Sequence, residues 1–163
     1  MTLRKILFIL ALSPLLAYAQ QGTFTTKSMT PETAQNAARA ALEYCRKVGY
    51  QVAVAVVDRA GVPQVMLRDR FAGAHTVRVA INKAWTAASF KVATAVVARE
   101  SQAGMPMSGL RNHPRVLAAP GGQPIEAGGS LLGAIGVSGA PTGEADDACA
   151  AAGIKAIADA LEF

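Results

Sequence analysis

Two rhythms of apolar side chains run along the chain and set the elements it predicts. After Thr30-Pro31-Glu32, the residues Ala34, Ala37, Ala38, Ala41, Cys45 and Val48 recur at helical spacing, and Gly49 ends the run. Thr30 offers a hydroxyl cap, Pro31 suits the first helical position, and Glu32 places an acid in the first turn. The stripe is made of small side chains, so this helix can lie close to a neighbour. From Gln51 to Asp58 the period drops to two, with Val52, Val54 and Val56 on one face and Ala53, Ala55 and Val57 on the other. Both faces are apolar, which predicts a strand covered on both sides. Asp58 to Gly61 reads as a turn and Val62 to Leu67 as the returning strand. Pro63 puts that strand at an edge or marks its first residues.

Helical spacing returns over His75 to Ser89, with Val77, Ala80, Ile81, Ala84 and Ala88 on one face, after a flexible connector from Phe71 to Ala74. A shorter helix, Ala93 to Glu100, leads into a Gly/Pro/Met loop from Gln102 to Pro114. Further strands are predicted at Val116 to Ala119, Gln123 to Glu126 and Ser130 to Val137. A last helix, capped by Thr142 or Gly143, carries Glu144, Asp146 and Asp147 in its first turn, where acids favour the helix dipole. Strands that follow one another through turns point to an antiparallel sheet and an α+β class, in one domain over residues 30–163. No internal repeat is visible.

The N-terminus has a different character. Arg4 and Lys5 precede an apolar run from Ile6 to Leu16, and Ala17-Tyr18-Ala19 offers small residues at the −3 and −1 positions. Residues 1–19 thus read as a cleavable signal peptide, followed by a flexible leader over 20–29. The run is too short to span a bilayer as a helix. The expectation is a periplasmic or secreted protein with no membrane association after cleavage. Losing Arg4 and Lys5 lowers the formal charge of +5 by two. The remaining basic residues are scattered with little aromatic interleaving, which gives no nucleic-acid footprint, although a mild positive charge suits a carboxylate-bearing ligand.

Cys45 and Cys149 match no metal-site spacing and no haem-attachment motif. Two buried thiols is the simpler reading. The alternative, a disulfide, would close about a hundred residues and contribute ~4–5 kcal/mol. No phosphate loop, dinucleotide fingerprint, nucleophile elbow or zinc-helix motif is present, and Ser138 lies in Gly136-Val137-Ser138-Gly139-Ala140.

Three stretches stand out: His75-Thr76 running on to Asn82 through Phe90; Gly121-Gly122-Gln123-Pro124-Ile125; and Gly133 to Pro141, followed by Asp146 to Ala150. Tight packing and turn chemistry account for each without a ligand. Their order, together with the Val54 to Asp58 strand and Gly61, resembles the GlcG/HbpS-like family from about Thr30 to Leu161. That family includes haem-binding proteins and the C-terminal domain of PduO-type adenosyltransferases. The resemblance implies a profilin-like fold, with a central antiparallel sheet of about five strands flanked by helices. It also implies homo-oligomers, for which the Gly133 to Gly139 strand and the alanine-rich helix faces offer close-approach surfaces.

With no C-x-x-C-H, haem would be held as a non-covalent b-type group. His75 is then the leading candidate for the metal ligand, since iron in such a site takes a neutral imidazole. Arg78, three residues on along the same helix face, and Lys83 are the candidates to meet cofactor carboxylates, with Arg68 and Arg70 behind them. His113, Met105, Met107 and Tyr44 are next in line for iron, and Trp85 and Phe90 read as core or interface. Two functions stand: a secreted small-ligand-binding protein that stores, transfers or senses haem, and a small enzyme or accessory subunit acting on an organic acid.

Overall fold

The computed structural model describes residues 22–162, so the signal peptide expected over residues 1–19 lies outside the described residues. The elements run α1 (Pro31–Lys47), β1 (Ala53–Asp58), β2 (Pro63–Arg68), α2 (His75–Phe90), α3 (Thr94–Glu100), β3 (Gly122–Ala127), β4 (Ser130–Ser138) and α4 (Gly143–Lys155). Short 3-10 turns lie at Ser108–Asn112 and Ala158–Leu161. The Thr30 hydroxyl caps α1 by accepting from Thr33 N at 3.2 Å, and Thr142 caps α4 in the same way through Ala145 N.

The sheet is antiparallel with strand order β2-β1-β4-β3. It has four strands, not the expected five or so, because Val116 to Ala119 does not join it. The physical reason is that the backbone here is bonded to a side chain. Leu117 N donates to Thr86 Oγ1 at 3.0 Å, and that hydroxyl donates to the Arg115 carbonyl at 3.4 Å. Pro120 has no N–H to offer a ladder. Pro63, by contrast, lies where its missing donor predicted, at the start of edge strand β2.

Helices cover both faces, which explains the apolar run of β1. Val52, Val54 and Val56 pack with α1 and α4, while Ala53, Ala55 and Val57 pack against α2. Both interfaces are built from small residues. A methyl group on Gly136 would come within 2.1 Å of the Ala80 carbonyl oxygen, and one on Gly153 within 2.6 Å of the Ala37 carbonyl oxygen. The helices therefore approach to backbone contact. The small-residue surfaces expected to serve subunit contacts are used inside the chain.

The reading of Cys45 and Cys149 as free thiols is corrected. They form a disulfide across 104 residues with a Cα–Cα distance of 5.6 Å. It joins α1 to α4 on one face of the sheet.

Candidate functional site

Of the site residues singled out by sequence, His75 lies at the end of the sheet where β1 begins and β4 ends. A cavity of ≈ 460 Å³ lies there, between the α1–β1 loop, the β2–α2 connector and the β4–α4 turn. Its lining includes Gln51, Phe71, His75, Thr76, Ser138 and Asp146.

The connector is tied rather than flexible. Asp69 is buried, and both its carboxylate oxygens accept from Arg46 at 2.8 Å. The hydrogen bond from that guanidinium holds the Asp69 carboxyl below the ordinary aspartate range, against the burial that would raise it. The Arg68 guanidinium donates to the Ala72 carbonyl, and Phe71 N donates to Gln51 Oε1 at 3.4 Å. This mooring fixes where α2 starts and hence where His75 stands. The His75 ring lies against Gly73, where a Cβ would meet Cε1 at 2.7 Å. The imidazole is exposed and has no hydrogen-bond partner among the described residues. Arg78 is exposed one turn further along α2.

Lys83 occupies a different position. It is 4 % exposed, and its ammonium donates to Asp146 Oδ2 at 2.7 Å and to the Val137 carbonyl at 2.9 Å. Asp146 Oδ1 accepts from Ala140 N at 3.0 Å. Burial pushes the Asp146 carboxyl above the ordinary range, with the hydrogen bond from Lys83 pulling it back. Lys83 thus holds the Asp146 wall of the cavity from beneath and does not itself line it.

The reserve candidates lie elsewhere. His113 stacks on Trp85 with ring centroids 5.5 Å apart and 8° between planes, and its Nδ1 accepts from Arg115 N at 3.2 Å. Arg115 covers the same indole at 4.5 Å. Trp85 is ten residues along α2 from His75, a rise of about 15 Å, so the two histidines occupy opposite ends of the helix. Met107 lines a separate shallow cavity with Phe90 and Leu110. Met105, Tyr44, Arg68 and Arg70 are absent from the lining around His75. A larger cavity of ≈ 540 Å³, with Lys27, Arg59 and Lys91 in its walls, sits at the other end of the sheet and holds no histidine. Among the described residues, no group of three or more His, Cys, Asp or Glu could hold a metal ion, and no helix is long and apolar enough to cross a membrane.

Sequence reasoning missed Gln51, Ser138 and Asp146 as cavity residues. Asp146 was legible only as a helix-start acid. Ser138 was legible only as the last residue before Gly139, whose φ of 129° marks a sharp turn out of the strand.

A family model described as "Haem degrading protein HbpS-like" matches residues 29–155. Among solved structures, a double mutant of Streptomyces reticuli HbpS is 38% identical with a TM-score of 0.77, covering 89% of this chain and 97% of that one. A PduOC:haem complex is 31% identical with a TM-score of 0.76, covering 80% and 95% respectively. The corrinoid adenosyltransferase PduO of Salmonella typhimurium strain LT2 is 34% identical over 103 residues, 62% of this chain. The match spans only 31% of that protein's length.

Proposed function

This chain belongs to the HbpS-like family, and from that premise we propose that it binds haem non-covalently, as a b-type group, with His75 as an iron ligand. The observation that carries the reading is an exposed imidazole with no protein partner among the described residues, at the rim of a cavity. The side chains present fit the group. Phe71, 79% exposed at the same rim, offers an aromatic face to a macrocycle, and Arg78 is placed one turn on to meet a propionate. Lys83 contributes by fixing Asp146 on the cavity wall. Bound haem would supply a ligatable iron centre whose Soret absorbance reports its axial ligand. The haem complex of a relative 31% identical supports the choice of ligand.

The reading includes export, with cleavage after Ala19 and haem storage, transfer or sensing outside the cytoplasm. A disulfide is the kind of bond that persists there. It also includes assembly into homo-oligomers, with the exposed Val62 among the apolar side chains left for a contact.

Haem titration of the mature protein tests the assignment. His75→Ala is expected to shift the Soret band and weaken haem retention by about tenfold or more, on the scale of losing a ligand contact of ~1.4 kcal/mol. His113→Ala, at the far end of α2, is expected to leave both unchanged. Identical spectra and affinities for wild type and His75→Ala would remove His75 from the site. Absence of any saturable spectrum in the wild type would remove haem.

A further inference from the structure

The same cavity has a feature that does not depend on iron. α2 is 16 residues long, and its N-cap residue, Ala74, has no side-chain acceptor to cap it, whereas α1 and α4 carry threonine caps. Thr76 gives no relief. Its N–H and its hydroxyl both turn back to the Gly73 carbonyl, at 3.0 and 2.6 Å. The helix therefore starts with N–H groups, at His75 and Val77, that no side chain serves, at the positive end of its dipole.

Ser138 lines the same cavity as His75 and Thr76 at this helix start. It is 5 % exposed, it belongs to the lining, and its hydroxyl has no hydrogen-bond partner among the described residues. Its oxygen, unlike that of Ser101, is not sealed from solvent, so the unpartnered hydroxyl remains open to an acceptor that enters the cavity. Asp146 on the same wall would repel an anion if its charge stood alone, but Lys83 lies 2.7 Å behind it and the pair is neutral overall. What remains is a set of neutral donors at a helix N-terminus, suited to a singly charged oxyanion.

We propose that this cavity is a carboxylate seat, in which the Ser138 hydroxyl and the uncapped N–H groups at the start of α2 share the two oxygens of one carboxylate. The ligand class is an organic monocarboxylate group, either a haem propionate or a free short-chain acid. The seat goes beyond the iron assignment and stands or falls separately from it.

The test uses Ser138→Ala, which deletes an oxygen that bonds nothing in the protein and so leaves the fold intact. Propionate is titrated into wild type and variant while the amide resonances of His75, Thr76 and Val77 are followed. In parallel, haem and its dimethyl ester are titrated into both proteins. The expected result is saturable shifts with propionate in the wild type, weakened about tenfold in Ser138→Ala, as for loss of one hydrogen bond to a charged group. If wild type also prefers haem to its ester and the variant does not, the carboxylate is a haem propionate. If acid and ester bind alike while propionate saturates only the wild type, it is a free acid. Should haem not bind and propionate still saturate, the haem reading fails and the seat stands. The seat is overturned by equal propionate binding in both proteins, or by no propionate shift together with equal affinity for haem and ester.

Discussion

Breaking the Cys45–Cys149 bond removes the constraint that spans most of the folded chain. The bond closes 104 residues between the last turn of α1 and the middle of α4. In the chain-entropy account, a loop of that length restricts the unfolded ensemble by about 5 kcal/mol at 25 °C. For a domain of this size such a loss corresponds to a fall in Tm of roughly 15 °C. Both cysteines are fully buried, so replacing them with alanine also leaves a cavity where the sulfurs packed. Reduction without mutation is therefore the cleaner perturbation. The assay is equilibrium urea unfolding of protein prepared under oxidising conditions, with and without a phosphine reductant, alongside mass-spectrometric counting of alkylated thiols. The reduced protein should unfold at lower urea with a larger m-value, because its unfolded state exposes more surface once the loop is open. Two alkylatable thiols in the oxidised preparation would refute the bond. A stability change under about 1 kcal/mol would refute the reasoning about loop closure.

Two further perturbations probe the scaffold under the cavity. Lys83→Met leaves Asp146 buried and unpaired, an expected cost of about 3–5 kcal/mol near neutral pH. A carboxyl whose folded pKa is raised penalises the fold when ionised, above that pKa, and not once it is protonated. The deficit should therefore shrink on acidification to about pH 5, and adding Asp146→Asn should recover most of it. An equal deficit at both pH values in urea unfolding would count against the pairing. Asp69 has the opposite sign. Arg46 depresses its folded pKa, so its contribution is present at neutral pH and lost as pH falls from the ordinary aspartate value through the lower folded one. Asp69→Asn should cost on the order of 1 kcal/mol at pH 7, since Arg46 is half exposed. It should also flatten the acid limb of the stability curve below about pH 4, and an unchanged limb would contradict the role given to Arg46.

Local periodicity and end signals settled much of this protein without a structure. The spacing of small residues after Thr30 placed α1, and the two apolar faces of β1 told in advance that the strand would be covered on both sides. Pro63 marked an edge, Thr142 a cap, and His75 the start of α2. These features depend on neighbours within a turn or a strand, where side-chain chemistry acts directly on the backbone. Tertiary structure decided what depends on residues far apart in sequence. Val116 to Ala119 has strand composition, but Thr86 took its hydrogen bonds. Lys83 reads as a helix-face cation, but α4 brings Asp146 to it across 63 residues. Cys45 and Cys149 pair because both α1 and α4 lie on one face of the sheet, and Ser138 shares a cavity with the start of α2 because β4 ends there. No local pattern encodes those meetings. They follow from how the helices fold back over a sheet in which sequence-distant strands lie side by side.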